Sequence, residues 1–165
     1  MRFEITQRFG ASPEEVQQLL LDESFVAGGG DDPDARIAYV ETVRHDVDAA
    51  GARLEVRYRF TADLPAAATA IISPDRLTWV ERTDVDLTSL ASRISIVPDH
   101  YADRLSASAT ATIASDGANG RAVRSITGDL KVRVLLVGGQ VERAIVDGMR
   151  EHFANEEQRA TERLA

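Results

Sequence analysis

Apolar and polar residues alternate along much of the chain up to residue 136, whereas the residues after it repeat apolar positions at three- and four-residue steps. The first pattern is typical of β-strands with one buried face, and the second of an amphipathic helix. The clearest strand has four apolar residues on one face and four charged residues on the other. These are Leu54, Val56, Tyr58 and Phe60 against Arg53, Glu55, Arg57 and Arg59.

Similar patterns predict further strands at residues 3–9, 36–45, 76–86, 94–97, 105–113 and 121–136. In the strand at 36–45, strict alternation would place Ile37, Tyr39, Glu41 and Val43 on one face. Gly128 inside the last strand predicts a bulge or bend that curves the sheet. Residues 116–120 are predicted to form a hairpin turn, and residues 63–74 fit either a short strand or a helical turn.

A short helix follows the first strand. Ser12 has the position of an N-cap, Pro13 that of the first helical residue, and Glu15 completes a capping box. A second helical turn can begin near Asp22, and Gly28 to Asp34 is predicted to be a loop because it contains three glycines and a proline.

The chain ends in a predicted helix from Gly139 to Leu164, about 39 Å long at the standard rise. A helix of this length needs a broad partner, and the predicted sheet is the candidate. Its apolar face consists of Val141, Ala144, Ile145, Gly148, Met149, His152 and Phe153, with charged residues, Glu142 among them, on the rest of its surface.

Composition limits the functional classes. At 165 residues with 44% hydrophobic and 28% charged residues, the chain fits one globular domain, residues 1–165. It has no cysteine, which excludes thiolate metal sites and thiol catalysis. A net charge of −8 disfavours nucleic acid as a partner, and no run is apolar enough for integral membrane association. We expect a cytoplasmic protein, and the excess of arginine over lysine suggests a GC-rich bacterial genome.

The order of strand, short helices, further antiparallel strands and long C-terminal helix resembles the START/Bet v 1-like (SRPBCC) superfamily. The resemblance rests on Phe3 and Ile5 leading into Ser12-Pro13-Glu14-Glu15-Val16, on Arg76-Leu77-Thr78-Trp79, and on the helical face from Val141 to Phe153. It implies an α+β helix-grip fold, a curved antiparallel sheet of about six or seven strands around the C-terminal helix. Within the superfamily, the chain looks most similar to an uncharacterised actinobacterial group.

A helix across a curved sheet can enclose a cavity, and such cavities take mainly apolar ligands. The expected partner is a hydrophobic or amphipathic small molecule, lipid-like or polyketide-like, bound without catalysis. Small residues at positions 107, 109, 111, 144 and 148 either leave room for it or allow close packing. The candidate ligand-binding residues are Tyr39, Tyr58, Trp79, Gly148, Met149, His152 and Phe153. Each of them could instead simply fill a core.

No catalytic residue, cofactor or metal is assigned from the sequence. His152 and Glu156 have the spacing of two metal ligands, but a third cannot be named. Asp84 with Asp86, and the acidic loop of Asp31, Asp32 and Asp34, are better explained as solvated carboxylates. A cyclase- or hydratase-like enzyme is the main alternative, with Arg57, Asp84, His100 or His152 in the cavity. A protein-interaction module like the chaperone co-activators is the third, and it requires a large exposed apolar patch.

Overall fold

The computed structural model describes residues 1–30 and 32–165, except for the side chain of Ala118. Seven strands form one antiparallel sheet in the order β1-β7-β6-β5-β4-β3-β2. The strands are β1 (Arg2–Phe9), β2 (Ile37–Val47), β3 (Gly51–Phe60), β4 (Thr78–Asp86), β5 (Ala91–Pro98), β6 (Leu105–Ser115) and β7 (Ala122–Val132). The helix-grip prediction is confirmed, including the number of strands.

Four α-helices accompany the sheet: α1 (Pro13–Leu20), α2 (Glu23–Ala27), α3 (Ala66–Thr69) and α4 (Gly138–Arg163). Ser12 and Glu15 form the predicted capping box at the start of α1. The ambiguous segment before β4 contains α3, and the glycine run forms a single 3-10 turn from Gly28 to Gly30. The long helix α4 differs from its predicted bounds by one residue at each end and contacts β1, β2 and β7.

The alternation predicted for β2 is wrong beyond Tyr39. Two register shifts, between Tyr39 and Glu41 and between Thr42 and Arg44, each insert one residue into the strand. Each insertion reverses the side to which the following residues point. Glu41 consequently pairs with Arg57 on the outer face, and Thr42 joins Val56 on the inner face.

The bulge predicted at Gly128 is absent, because the pairing of β7 with β1 and β6 runs through this residue without a shift. The glycine is instead required by close packing. A Cβ atom at Gly128 would lie 2.6 Å from Cζ of Phe3 and 2.5 Å from the carbonyl oxygen of Ser108. The missing side chain therefore allows the Phe3 ring to lie directly against the sheet.

The predicted last strand is four residues too long, because β7 ends at Val132 and not at Leu136. Glu142, expected on the outer face of α4, is 7% exposed and accepts a hydrogen bond of 2.9 Å from the backbone N–H of Val132. Its other oxygen lies 3.3 Å from the amino group of Met1. A carboxylate thus joins the start of α4 to the end of β7 and makes a polar residue part of the buried face.

Candidate functional site

The space between the inner face of the sheet and α4 contains two small chambers, each with a cavity volume of about 50 Å³. This is room for roughly three to five water molecules in each. Tyr58, Glu81, His152 and Phe153 line both chambers and separate them. These four residues come from β3, β4 and α4, so the site is built where the helix crosses the middle strands.

The apolar chamber lies on the side of the helix start. Apart from the four shared residues, its walls are almost entirely hydrophobic: Phe3, Ile37, Trp79, Ile94, Ile96, Leu105, Ala107, Ala109, Ile126, Leu130, Ile145 and Met149, with Ser95 and Ser108. Ala107 and Ala109 face the interior from β6, and their small side chains leave the space that larger residues would fill.

The polar chamber lies on the side of α1. Hydrophobic residues form part of its wall, but hydroxyl, amide and charged groups form the rest: Gln17, Thr83, Ser92, Arg124, Glu156 and Arg159. The interior is therefore amphipathic, with a hydrophobic space and a polar space meeting at Tyr58, Glu81, His152 and Phe153.

Five of the seven residues predicted to bind a ligand line the apolar chamber: Tyr58, Trp79, Met149, His152 and Phe153. Tyr39 does not line it, although it pairs with Tyr58 and packs, half-buried, against the edge of the core. Its hydroxyl lies 3.1 Å from that of Thr42. Gly148 does not line it either. A Cβ there would lie 3.3 Å from the Phe60 ring, so Gly148 allows α4 to pack closely on the sheet.

Three of the separating side chains carry polar atoms that make no hydrogen bond to any described residue: the hydroxyl of Tyr58, the carboxyl of Glu81 and the imidazole of His152. None of these atoms is fully enclosed by protein. Among the described side chains, the only fully enclosed nitrogen or oxygen atom without a hydrogen-bond partner is Oε1 of Gln17. Their remaining accessible surface faces the chambers that they line. Polar groups of this kind are available to a guest molecule.

Burial raises the pKa of Glu81 from its usual value of 4.5 to about 7. Arg124 lowers this pKa and Glu156 raises it, but desolvation is the larger effect. Near neutral pH, Glu81 consequently exists as a mixture of carboxylic acid and carboxylate. It can donate a hydrogen bond in one form and accept one in the other.

Burial also keeps the other two groups uncharged. Desolvation lowers the pKa of His152, and the guanidinium groups of Arg159 and Arg124 lower it further against the opposing effect of Glu156. Desolvation raises the pKa of Tyr58 well above its usual value, to which Glu81 and Glu156 contribute. The neutral imidazole packs edge-on against the rings of Tyr58 and Phe153.

A buried polar network fixes α4 against the strands beside the site. Nη1 of Arg124 lies 2.9 Å from Oε1 of Glu156 and 3.1 Å from Oε1 of Gln7. The amide of Gln7 donates to Glu156 and to the carbonyl of Phe153 at 3.0 and 2.7 Å. Glu156 is therefore paired with Arg124. His152, the other residue considered as a metal ligand, packs instead against the rings of Tyr58 and Phe153.

A surface depression of about 320 Å³ adjoins the polar chamber and shares His152 and Arg159 with it. Its rim includes Gly28 and Gly29 on one side and Asn155 of α4 on the other. Nη1 of Arg159 donates to the carbonyl of Phe25 at 2.8 Å, which ties α4 to α2. The glycine turn thus lies at the opening nearest to His152. Asp31 of the acidic loop lies outside the described residues.

Three of the four residues considered for an enzyme lie on the outer surface. Arg57 pairs with Glu41 and Asp99, Asp84 accepts a hydrogen bond from Arg53 at 2.6 Å, and His100 lies beside Arg76. Only His152 faces the interior.

Glu81, Gln17 and Arg124 were missed from the sequence, although one signal for Glu81 was present. Glu81 is separated from Trp79 and Val85 by an even number of residues along β4, and these two residues are buried, so its side chain must lie on the same inner face.

Over the described part of the chain, no three histidine or acidic side chains are grouped as metal ligands would be. No helix in that part has the length and hydrophobicity needed to cross a membrane.

Solved structures similar to this chain share its fold at low sequence identity. The ZhuI aromatase/cyclase from Streptomyces sp. R1128 is 13% identical, with a TM-score of 0.66 over 99% of this chain and 92% of that one. A point mutant of norcoclaurine synthase from Thalictrum flavum is 15% identical, with a TM-score of 0.62 over 100% and 96%. A START superfamily protein from Mycobacterium smegmatis is 15% identical, with a TM-score of 0.55 over 99% of both chains.

These likenesses establish a START/Bet v 1-like fold. No curated protein matches the chain. A family model, described as "Protein of unknown function (DUF2505)", matches residues 4–164. The chain belongs to the DUF2505 family.

Proposed function

We propose that the protein binds a hydrophobic or amphipathic small molecule between the sheet and α4, and that binding involves no catalysis. The observation that carries the proposal is the set of unpaired polar groups of Tyr58, Glu81 and His152 at the edge of an apolar chamber. These groups border the chambers and have no hydrogen-bond partner among the described residues, so they are free to pair with polar groups of a guest.

The apolar chamber supplies the hydrophobic part of binding. A guest seated there contacts the rings of Trp79 and Phe153 and the flexible side chain of Met149, which adapts to irregular shapes. Ala109 opposite them leaves room on the sheet side. Transfer of apolar surface from water into such a space is favourable by roughly 25 cal/mol per Å².

Each chamber alone is too small for a molecule larger than a few atoms, so binding includes a side-chain movement. Rotation of His152 and Phe153 about their χ1 bonds joins the two chambers into one. The opening beside Gly28 and Gly29 lies next to His152 and gives a route to the joined space. The glycine turn then acts as the gate.

The test is binding of N-phenyl-1-naphthylamine, an apolar dye that fluoresces when it leaves water, to two matched variants. Ala109→Leu adds three carbons on the inner face of β6, whereas Thr110→Leu places the same side chain on the outer face. We expect dye binding by the wild type and by Thr110→Leu, and at least a tenfold weaker affinity for Ala109→Leu. Equal affinities for all three proteins would place the dye outside the cavity and refute the proposal.

An enzyme of the cyclase or hydratase kind is a second candidate, and Glu81 is the observation that favours it. A carboxyl group with a pKa of about 7 in a cavity is suited to proton transfer near neutral pH. The neighbour ZhuI is an aromatase/cyclase and carries the same fold. A compound that co-purifies with Glu81→Gln but is chemically changed by the wild type, followed by mass spectrometry, would establish this activity.

A further inference from the structure

Two neighbouring leucines, Leu135 and Leu136, protrude from the turn between β7 and α4. Their side chains are 88% and 99% exposed, whereas the next most exposed large hydrophobic residue described, Val47, is 52% exposed. Single apolar side chains on a surface are ordinary, but two adjacent and almost free leucines form an apolar protrusion. We infer that this turn docks the protein on the surface of a membrane that contains anionic lipid. The inference concerns the outer surface and does not depend on the proposed function.

The turn is fixed at both ends, so the leucines are held away from the core. Val134 packs against the core before them, and the buried Val137 belongs to the core after them. The backbone N–H of Gly138 donates to the carbonyl of Val134 at 3.0 Å and closes the turn. The two side chains are therefore already presented to the outside, and docking requires no rearrangement of the turn.

The backbone of Leu136 is strained. Its φ of +69° lies in the left-handed region, which glycine adopts freely and leucine does not. Its side chain is almost fully exposed, so no packing within the protein offsets the strain. Strained residues of this kind are concentrated at binding sites. Strain and exposure together indicate that Leu136 serves a contact outside the chain.

The charge around the turn complements an anionic surface. Residues 130–141 contain Lys131 and Arg133 and no acidic residue, although the whole chain has 27 acidic and 19 basic residues. Arg133 is exposed and makes no ion pair with any described residue. Lys131 remains 63% exposed, although it lies 3.9 Å from Oε1 of Glu142. Basic side chains beside an apolar protrusion are attracted by anionic headgroups, and the net charge of −8 on the whole chain favours this one orientation.

A lipid surface fits the protrusion better than a protein partner does. A specific protein interface buries about 800 Å² on each side, far more than two leucine side chains provide. A membrane accepts single apolar side chains without a complementary pocket. A second copy of the chain offers no apolar pocket for the leucines in its surface depressions of about 320, 560 and 730 Å³, each of which is lined mainly by polar and charged residues.

The experiment is co-sedimentation of the full chain with vesicles of equimolar phosphatidylcholine and phosphatidylglycerol. We expect the wild type to bind, and the double variant Leu135→Gln/Leu136→Gln to bind at least tenfold more weakly. The matched control is Val43→Gln/Val47→Gln, which removes two exposed apolar side chains from β2 and should bind as the wild type does. Thermal unfolding checks that each variant is folded.

A second pair of variants tests the charge at the two ends of β7. Arg133 follows the strand beside the leucines and Arg121 precedes it at the opposite end of the sheet, and both are exposed. One basic side chain near an anionic surface contributes about a fivefold factor in affinity. We therefore expect Arg133→Gln to bind at least threefold more weakly than the wild type, and Arg121→Gln to bind within twofold of it. Vesicles of phosphatidylcholine alone should bind the wild type at least tenfold more weakly.

Three outcomes would overturn the inference. The first is an absence of vesicle binding by the wild type, or equal binding by the wild type and the double leucine variant. The second is self-association of the wild type without vesicles that the double leucine variant loses in analytical ultracentrifugation, because the turn would then bind a second copy. The third is loss of vesicle binding in Ala109→Leu, because binding would then depend on the apolar chamber. An Ala109→Leu protein that binds vesicles normally but no longer binds the dye would support both proposals separately.

Discussion

The imidazole of His152 on α4 packs edge-on against the ring of Tyr58 on β3, with 5.2 Å between the ring centroids and 77° between the ring planes. This contact joins the helix to the middle of the sheet without using the polar atoms of either ring. The nitrogen atoms of His152 and the hydroxyl of Tyr58 remain available at the boundary of the two chambers. Hydrophobic packing positions these groups, and their hydrogen bonds are left to a guest.

Replacement of Glu81 by glutamine should change how stability depends on pH. The pKa of Glu81 is about 7 in the folded protein and 4.5 in its unperturbed state, so the folded chain holds this proton more tightly. Its contribution to the free energy of unfolding is therefore present below pH 4.5 and is lost as the pH rises to about 7. As the pH rises between those limits, the free energy of unfolding of Glu81→Gln relative to that of the wild type should increase by on the order of 3 kcal/mol. Urea unfolding at pH 5 and pH 8 measures most of this gain.

The matched control is Glu4→Gln, which changes an exposed carboxylate on the outer face of β1. Its stability relative to the wild type should be nearly the same at both pH values. A stability difference for Glu81→Gln that is likewise constant with pH would show that the Glu81 carboxyl is solvated and not enclosed by the chambers.

The ion pair of Arg124 and Glu156 should be strongly coupled, because the side chains are only 10% and 17% exposed. Removal of either partner leaves the other charge buried. We therefore expect Arg124→Met or Glu156→Met to lower the free energy of unfolding by about 3–5 kcal/mol. The double variant should lose less than the sum of the single losses, which a double-mutant cycle of urea unfolding measures. Additive losses would mean that the two groups act independently.

Gly128→Ala should destabilise the fold by about 1–3 kcal/mol, because the new methyl group would overlap the Phe3 ring and the Ser108 carbonyl. Gly10→Ala is the control, since a Cβ there meets nothing within 4 Å. Thermal unfolding of the two variants compares them directly. A Gly128→Ala protein as stable as Gly10→Ala would contradict the close packing described for β1 and β7.

Leu136→Gly should stabilise the protein by about 1 kcal/mol. Leu136 has a φ of +69°, a left-handed conformation that is unfavourable for leucine, and its side chain is 99% exposed. The change therefore relieves strain and removes no packing. Its neighbour Leu135 is 88% exposed without a positive φ, so Leu135→Gly should destabilise slightly. Chemical denaturation that ranks the two variants in the opposite order would refute this explanation.

The sequence could predict most of the architecture because the buried faces have regular periods. The alternation in β3 and the three- and four-residue steps of α4 determined which faces meet, and the capping box located α1. The same reasoning failed for β2, where two inserted residues reverse the alternation after Tyr39. Bulges depend on the pairing of neighbouring strands, which no periodicity within one strand encodes.

The candidate site was only partly predictable for a related reason. Trp79 and Phe153 were found because apolar residues indicate an inner face, whereas Glu81 and Gln17 were missed because polar residues normally indicate an outer one. Glu142 was placed on the surface by the same rule, although a backbone N–H and the amino group of Met1 satisfy it inside. Burial of a polar residue depends on tertiary partners that only the assembled fold supplies.

The most direct test of interior binding is a methyl-resolved NMR titration of the full chain with 4-ethylphenol. We expect saturable shifts of methyl groups that line the apolar chamber, namely those of Ile94, Ile126, Leu130, Ile145 and Met149. These shifts should be lost in Ala109→Leu and retained in Thr110→Leu. Shifts confined to surface methyl groups such as those of Leu135 and Leu136, or chamber shifts unaffected by Ala109→Leu, would contradict binding between the sheet and α4.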